Sequence, residues 1–177
     1  NPVKGCFFIA RRGELAEDEK STVALFQNAS PSVVYITNVG LRTDMLGLNV
    51  TEVPEGTGSG FIWDQQGHVV TNYHVVASAV LEPERYRLGW QSAAGVEGEA
   101  TVLAVDLRND LAVIQLGRVQ PAMFELRPAQ PALANGDKLY SMGNPLDIGF
   151  TVSEGSYNGR VERGVYDLLH FTGALNP

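Results

Sequence analysis

Apolar and polar positions alternate along most of this chain in short runs, and their spacing separates one helical stretch from a series of strands. Residues 14 to 28 carry Glu14, Glu17, Asp18 and Glu19, then Val23, Ala24, Leu25 and Phe26. That order predicts one amphipathic helix with acidic groups in its first turns, where they complement the helix dipole. Ser30-Pro31 stops it, because a residue before proline is pushed out of the helical region. From there β-branched or alternating runs, separated by glycine and proline, predict strands near Val33 to Val39, Gly58 to Trp63, His68 to Thr71, Arg85 to Trp90, Glu99 to Val105 and Leu111 to Gln115. These form a first β unit. Pro121, Pro128 and Pro131 mark a linker. A second β unit opens at Gly136-Asp137, with strands expected at Lys138 to Met142, Phe150 to Glu154, Tyr157 to Val161 and Tyr166 to Thr172. The expected organisation is an N-terminal segment and helix over 1–30, a first β-barrel over 31–118, a linker over 119–135 and a second barrel over 136–177. The fold class is all-β: paired barrels, the second unable to close with the strands available.

Composition narrows the function classes. With 44% apolar and 19% charged residues, the 177-residue chain has enough apolar surface for a core and too little charge for disorder. A formal net charge of −7 without a basic stripe argues against nucleic acid or an anionic membrane as the main partner. The one cysteine, Cys6, excludes an internal disulfide framework and a thiolate metal cluster. No window approaches the roughly 20 apolar residues of a membrane-spanning helix. The chain opens at Asn1 and stops at Asn176-Pro177 directly after a strand-like run, which reads as a processed or excised piece cut in mid-structure.

Two stretches carry candidate chemistry. In Gly56-Thr57-Gly58-Ser59-Gly60-Phe61-Ile62-Trp63, alternate glycines let backbones approach closely, and no helix follows to make a phosphate cradle. After a turn at Gln66-Gly67 the chain runs through His68-Val69-Val70-Thr71-Asn72-Tyr73 to His74, where an apolar strand ends and a short apolar turn is expected. Taken bare, such a histidine is more often a packed or surface residue than a catalytic one. The second stretch places Asp110 immediately before the buried-strand run Leu111 to Leu116. Its bland reading is a turn aspartate bonding its own backbone. A histidine and a rim aspartate in one β unit nevertheless match two thirds of an acyl-transfer triad.

The segments TGSGFIWDQQGHVVTNYHVV, RNDLAVIQL, GDKLYSMGNP and FTVSEGSYNGRV, in this order, resemble the HtrA/Deg (DegP-like) family of trypsin-like serine proteases. LFQNASPSVVYITNV also resembles the entry segment of cyanobacterial and plastid Deg proteases. The resemblance implies two six-stranded chymotrypsin/trypsin-like barrels and a serine endopeptidase acting on unfolded or damaged proteins. It implies His74 as general base and Asp110 as the carboxylate that orients it, with no cofactor and no metal. His68 and His170 match no catalytic position and read as ordinary strand residues. In the family a strand like Phe171 to Pro177 runs into a Gly-Asn-Ser-Gly-Gly-type motif, so the nucleophilic serine is expected just beyond Pro177. Ser59, Ser141, Ser153 and Ser156 are expected in strands rather than in a nucleophile turn. The family also implies a homo-trimer and an extracytoplasmic site: periplasm, cell envelope or thylakoid lumen. The apolar cluster Phe7-Phe8-Ile9 is a candidate contact for that assembly. Two other readings compete: a non-catalytic module that binds peptides or a partner through open strand edges, and a small metal site from His68, His74 and Asp110.

Overall fold

The computed structural model describes residues 13–43, 50–117, 132–143 and 150–174. Helix α1 spans Glu17–Ala29 and opens with Glu19 Oε2 accepting the Ala16 N–H at 2.8 Å. None of its residues is buried. The amphipathic stripe therefore rests lightly on the rest of the molecule, and Thr22 Oγ1 lies 3.3 Å from the Tyr140 hydroxyl. A 3-10 turn over Ser30–Ser32, with Pro31 inside it, leads into the strands.

Six strands follow: β1 (Val33–Thr43), β2 (Val50–Ile62), β3 (His68–Thr71), β4 (Tyr86–Ser92), β5 (Glu97–Asp106) and β6 (Leu111–Leu116). They close into one antiparallel barrel in the order β1-β2-β3-β6-β5-β4, as the spacing of the first unit predicts. Closure leaves no free edge among the described strands of this half. Every second residue of β3 and of β6 turns inward, so Val69, Ala112, Ile114 and Leu116 meet Val34, Ile36, Ile62, Leu88 and Trp90 in a continuous apolar core. The Trp90 indole N–H is satisfied by the Glu99 carbonyl at 3.1 Å.

The apolar stretch after Asn72 departs from expectation. It is a helix, α2 (Tyr73–Leu81), not a short turn. Val75 and Val76 are buried, and Ala79 and Val80 four positions on pack against the same core, so helical spacing closes one mouth of the barrel with apolar side chains.

Among the described residues the second unit has three strands where four were expected. Strands β7 (Lys138–Gly143), β8 (Thr151–Arg163) and β9 (Tyr166–Phe171) form an open sheet in the order β7-β8-β9. The two strands expected at Phe150 to Glu154 and Tyr157 to Val161 are one. Gly155-Ser156 does not break the ladder; β8 pairs with β7 through its first half and with β9 through its second, and the register slips between Tyr157 and Arg160, where Gly159 takes φ +96°. The linker prolines, Cys6, the Phe7-Phe8-Ile9 cluster and residues 175–177 lie outside the described residues.

Candidate active site

Strand β3 ends at Thr71, whose hydroxyl donates to the Ser59 carbonyl at 2.8 Å and ties it to β2. Asn72 then turns the chain in an extended conformation and α2 begins, so His74 stands in the first helical turn at the barrel mouth. Across from it, residues 107–110 form the turn between β5 and β6. The Asp106 carboxylate organises that turn: Oδ1 accepts the N–H groups of Arg108 and Asn109 at 3.0 and 3.1 Å, and Oδ2 accepts Asn109 Nδ2 at 2.6 Å. The Asn109 side chain foremost, then its N–H, holds the Asp106 carboxyl below its ordinary range. From the second sheet, the Tyr166 hydroxyl donates to the Arg108 carbonyl. Asp110 closes the turn at φ 53°, the sole left-handed non-glycine among the described residues and a conformation that aspartate tolerates better than most.

The outcome is a two-point clamp. Asp110 Oδ1 accepts the His74 backbone N–H at 2.9 Å, and Oδ2 lies 2.7 Å from His74 Nδ1. Partial burial pushes the Asp110 carboxyl up, but the bonds from the His74 N–H and imidazole outweigh it and the net position is below the usual carboxylate range. An ionised carboxylate only accepts, so in the neutral imidazole Nδ1 carries the proton and Nε2 keeps its lone pair. The imidazole is 67% exposed and the carboxylate 46%, so Nε2 has access to an incoming group.

His68 is more than an ordinary strand residue. Its Nδ1 lies 2.6 Å from Asp64 Oδ2, while Asp64 Oδ1 accepts the N–H groups of Gln66 and His68 at 3.0 and 3.1 Å. Asp64, which sequence reasoning missed, locks the β2–β3 turn; the legible signal was an aspartate four residues before a histidine with Gly67 between them. His68 and His74 thus each have their own carboxylate. The structure does not join His68 to His74 and Asp110, and among the described residues no group of three His, Cys, Asp or Glu is arranged to hold a metal ion. His170 lies exposed on β9. Ser59 lies on β2, Ser141 on β7, and Ser153 and Ser156 on β8. Beside the histidine–aspartate pair, a cavity of about 330 Å³ opens between the barrel and β7, lined by Val33, Phe61, Asn72, Leu111, Tyr140 and Met142 among others.

A closed antiparallel barrel with a histidine–aspartate pair at its mouth, facing a second β unit across a cleft, is the architecture of a trypsin-like hydrolase. The family described as "Trypsin-like peptidase domain" matches residues 58–177. "Protease Do-like 1, chloroplastic" of Arabidopsis thaliana is 37% identical over 97% of this chain and 40% of its own length. "Protease Do-like 5, chloroplastic" of the same plant is 35% identical over 77% of the chain and 46% of its own length. Human "Serine protease HTRA3" is 33% identical over 73% of the chain and 28% of its own length. The crystal structure of Deg5 superposes with a TM-score of 0.72 at 31% identity, over 93% of this chain and 78% of that one. The chain belongs to the trypsin-like peptidases, and its relatives are the Deg/HtrA proteases. It spans less than half the length of these curated relatives.

Proposed function

We propose that this chain is the base-bearing part of an HtrA/Deg-type serine endopeptidase that cleaves unfolded or damaged proteins. The observation that carries the reading is the clamp of Asp110 on His74, which leaves a lone pair on Nε2. In this mechanism Nε2 takes the proton of a serine hydroxyl as it attacks the peptide carbonyl, then delivers it to the leaving amine. Asp110 fixes the tautomer and stabilises the imidazolium formed between the two transfers. General base catalysis of this kind contributes about 10²–10⁴ in rate. The serine itself, and the backbone amides that stabilise the oxyanion, belong in this reading to residues following Pro177.

For the whole protein's assembly and address the proposal rests on the family resemblance. A homo-trimer built through protease domains, residues 31–118 and 136–177 as its two barrels, and an extracytoplasmic compartment such as the thylakoid lumen complete the proposal. Two of the relatives above carry "chloroplastic" in their names, which supports a plastid-type setting over a periplasmic one.

Fluorophosphonate labelling read by intact mass tests the chemistry. The expected outcome is one label on a serine C-terminal to Pro177, lost in His74→Ala together with cleavage of unfolded casein. A label on Ser59, Ser141, Ser153 or Ser156, or cleavage that survives His74→Ala, overturns it. Casein binding with neither label nor cleavage would favour the peptide-binding module instead, for which the open outer edges of β7 and β9 among the described residues are the supporting observation.

A further inference from the structure

Asparagine at a helix N-cap ordinarily accepts a hydrogen bond from the first helical turn. Asn72 stands at the N-cap of α2 and its side chain makes no such bond. Its Nδ2 points elsewhere, donating to the backbone carbonyl of Asp110 at 2.9 Å, across 38 residues of sequence. The same carbonyl accepts the Tyr73 N–H at 3.1 Å. Residues 72–74 therefore grip Asp110 at four points, two on its carbonyl and two on its carboxylate. The N–H groups of Tyr73 and His74 are among the donors that any helix start leaves without intrahelical partners. The Nδ2 bond is different, because it requires an amide side chain at position 72.

Asp110 needs that grip. Its φ of 53° is a conformation non-glycine residues seldom adopt, and the direction of the carboxylate depends on the backbone staying there. We propose that Asn72 is a positioning residue for the His74–Asp110 pair: its side-chain amide holds Asp110 in the left-handed conformation that turns the carboxylate onto His74 Nδ1. The cost of the arrangement is a helix start without its side-chain cap, which marks the bond as serving the neighbouring turn more than the helix. This inference rests on the reading of His74 as base and Asp110 as its orienting group.

The chain has three histidines, so selective ¹⁵N labelling and long-range ¹H–¹⁵N correlation read the tautomer of each imidazole separately. In the unmodified protein His74 is expected as the Nδ1–H form. Asn72→Ala and the isosteric Asn72→Asp, which cannot donate, are expected to move His74 toward the Nε2–H form by roughly half or more of the change seen in Asp110→Ala, because the carboxylate that selects the tautomer is no longer held. His68, clamped by Asp64 on the β2–β3 turn, serves as the internal reference and keeps its signal. If His68 also moves in Asn72→Ala, that variant has disturbed the barrel and Asn72→Asp decides. A His74 signal unchanged in Asn72→Asp overturns the role of Asn72. An Nε2–H form in the unmodified protein, or no response to Asp110→Ala, instead overturns the base-and-orienter reading itself.

Discussion

Two carboxylates in this molecule grip a histidine in the same manner, each through a backbone N–H and a ring nitrogen, yet they serve different ends. Asp110 reaches His74 from another turn, 36 residues away; Asp64 reaches His68 within one turn, four residues away. The local pair is a turn lock, and its contribution has a definite sign with pH. The His68 side chain foremost, against the effect of burial, holds the Asp64 carboxyl below its ordinary range in the folded state. A group depressed on folding stabilises the protein above its unfolded value, about 3.9 for aspartate, and that stabilisation is lost as pH falls through the lower folded value. Asp64→Asn should therefore flatten the fall of the thermal midpoint on acidification below about pH 4, measured by circular dichroism melts. Parallel curves for the two proteins would show that the turn lock does not couple to folding. At this scale the pair His74 and Asp110 was legible because both lie in dense motifs, whereas Asp64 was not singled out. The left-handed backbone of Asp110 had no signature at all, since such a φ is expected first of glycine.

Elements explain why the glycines of β2 sit where they do. A Cβ at Gly58 would lie 2.5 Å from Val75 Cγ2 and 2.7 Å from Cγ1, and one at Gly60 would lie 2.6 Å from Val69 Cγ1. Val75 directly follows His74 on α2, so the bare backbone of β2 is what lets the histidine-bearing helix settle on the barrel. Gly58→Ala is expected to cost about 1–3 kcal/mol of stability by overpacking and, in the endopeptidase proposed above, to lower activity further than that loss of folded protein explains, as α2 is pushed outward with His74. Chemical denaturation set beside initial rates at fixed folded concentration checks this; equal activity per folded molecule would contradict it. The glycine alternation announced close approach from sequence, but not what approached. Tyr73-His74-Val75-Val76 reads poorly as a helix because two adjacent β-branched residues disfavour it, and burial of both against the core overrides that preference. The continuity of β8 was hidden for the converse reason: Gly155-Ser156 has the composition of a turn, yet β7 pairs with the strand up to Ser156 and β9 takes over from Tyr157.

Across the whole molecule, stability is unevenly spread. The barrel is closed and holds the apolar core, whereas the β7–β9 sheet is open, with Val161, Leu168 and Leu169 each at least 40% exposed. Backbone amides of β3 and β6 should exchange with solvent slowest and those of β9 markedly faster, as native-state hydrogen exchange would measure. Equal protection in both would mean that the two halves open as one unit. The alternating runs made the six strands of the first barrel readable, though β2 begins at Val50, well before the expected Gly58, and α2 was missed; the strand count of the second unit could only be found in three dimensions.

The hydroxyl of Tyr166 resting on the Arg108 carbonyl gives this unevenness a direction in time. Synthesis proceeds from the N-terminus, so the strands of the barrel are complete at Leu116 while Tyr166, 58 residues after Arg108, is still unmade. Until it arrives, the turn that presents Asp110 lacks one of its supports. A nascent chain can thus own a finished barrel while the turn that carries Asp110 still waits for a support that is made last.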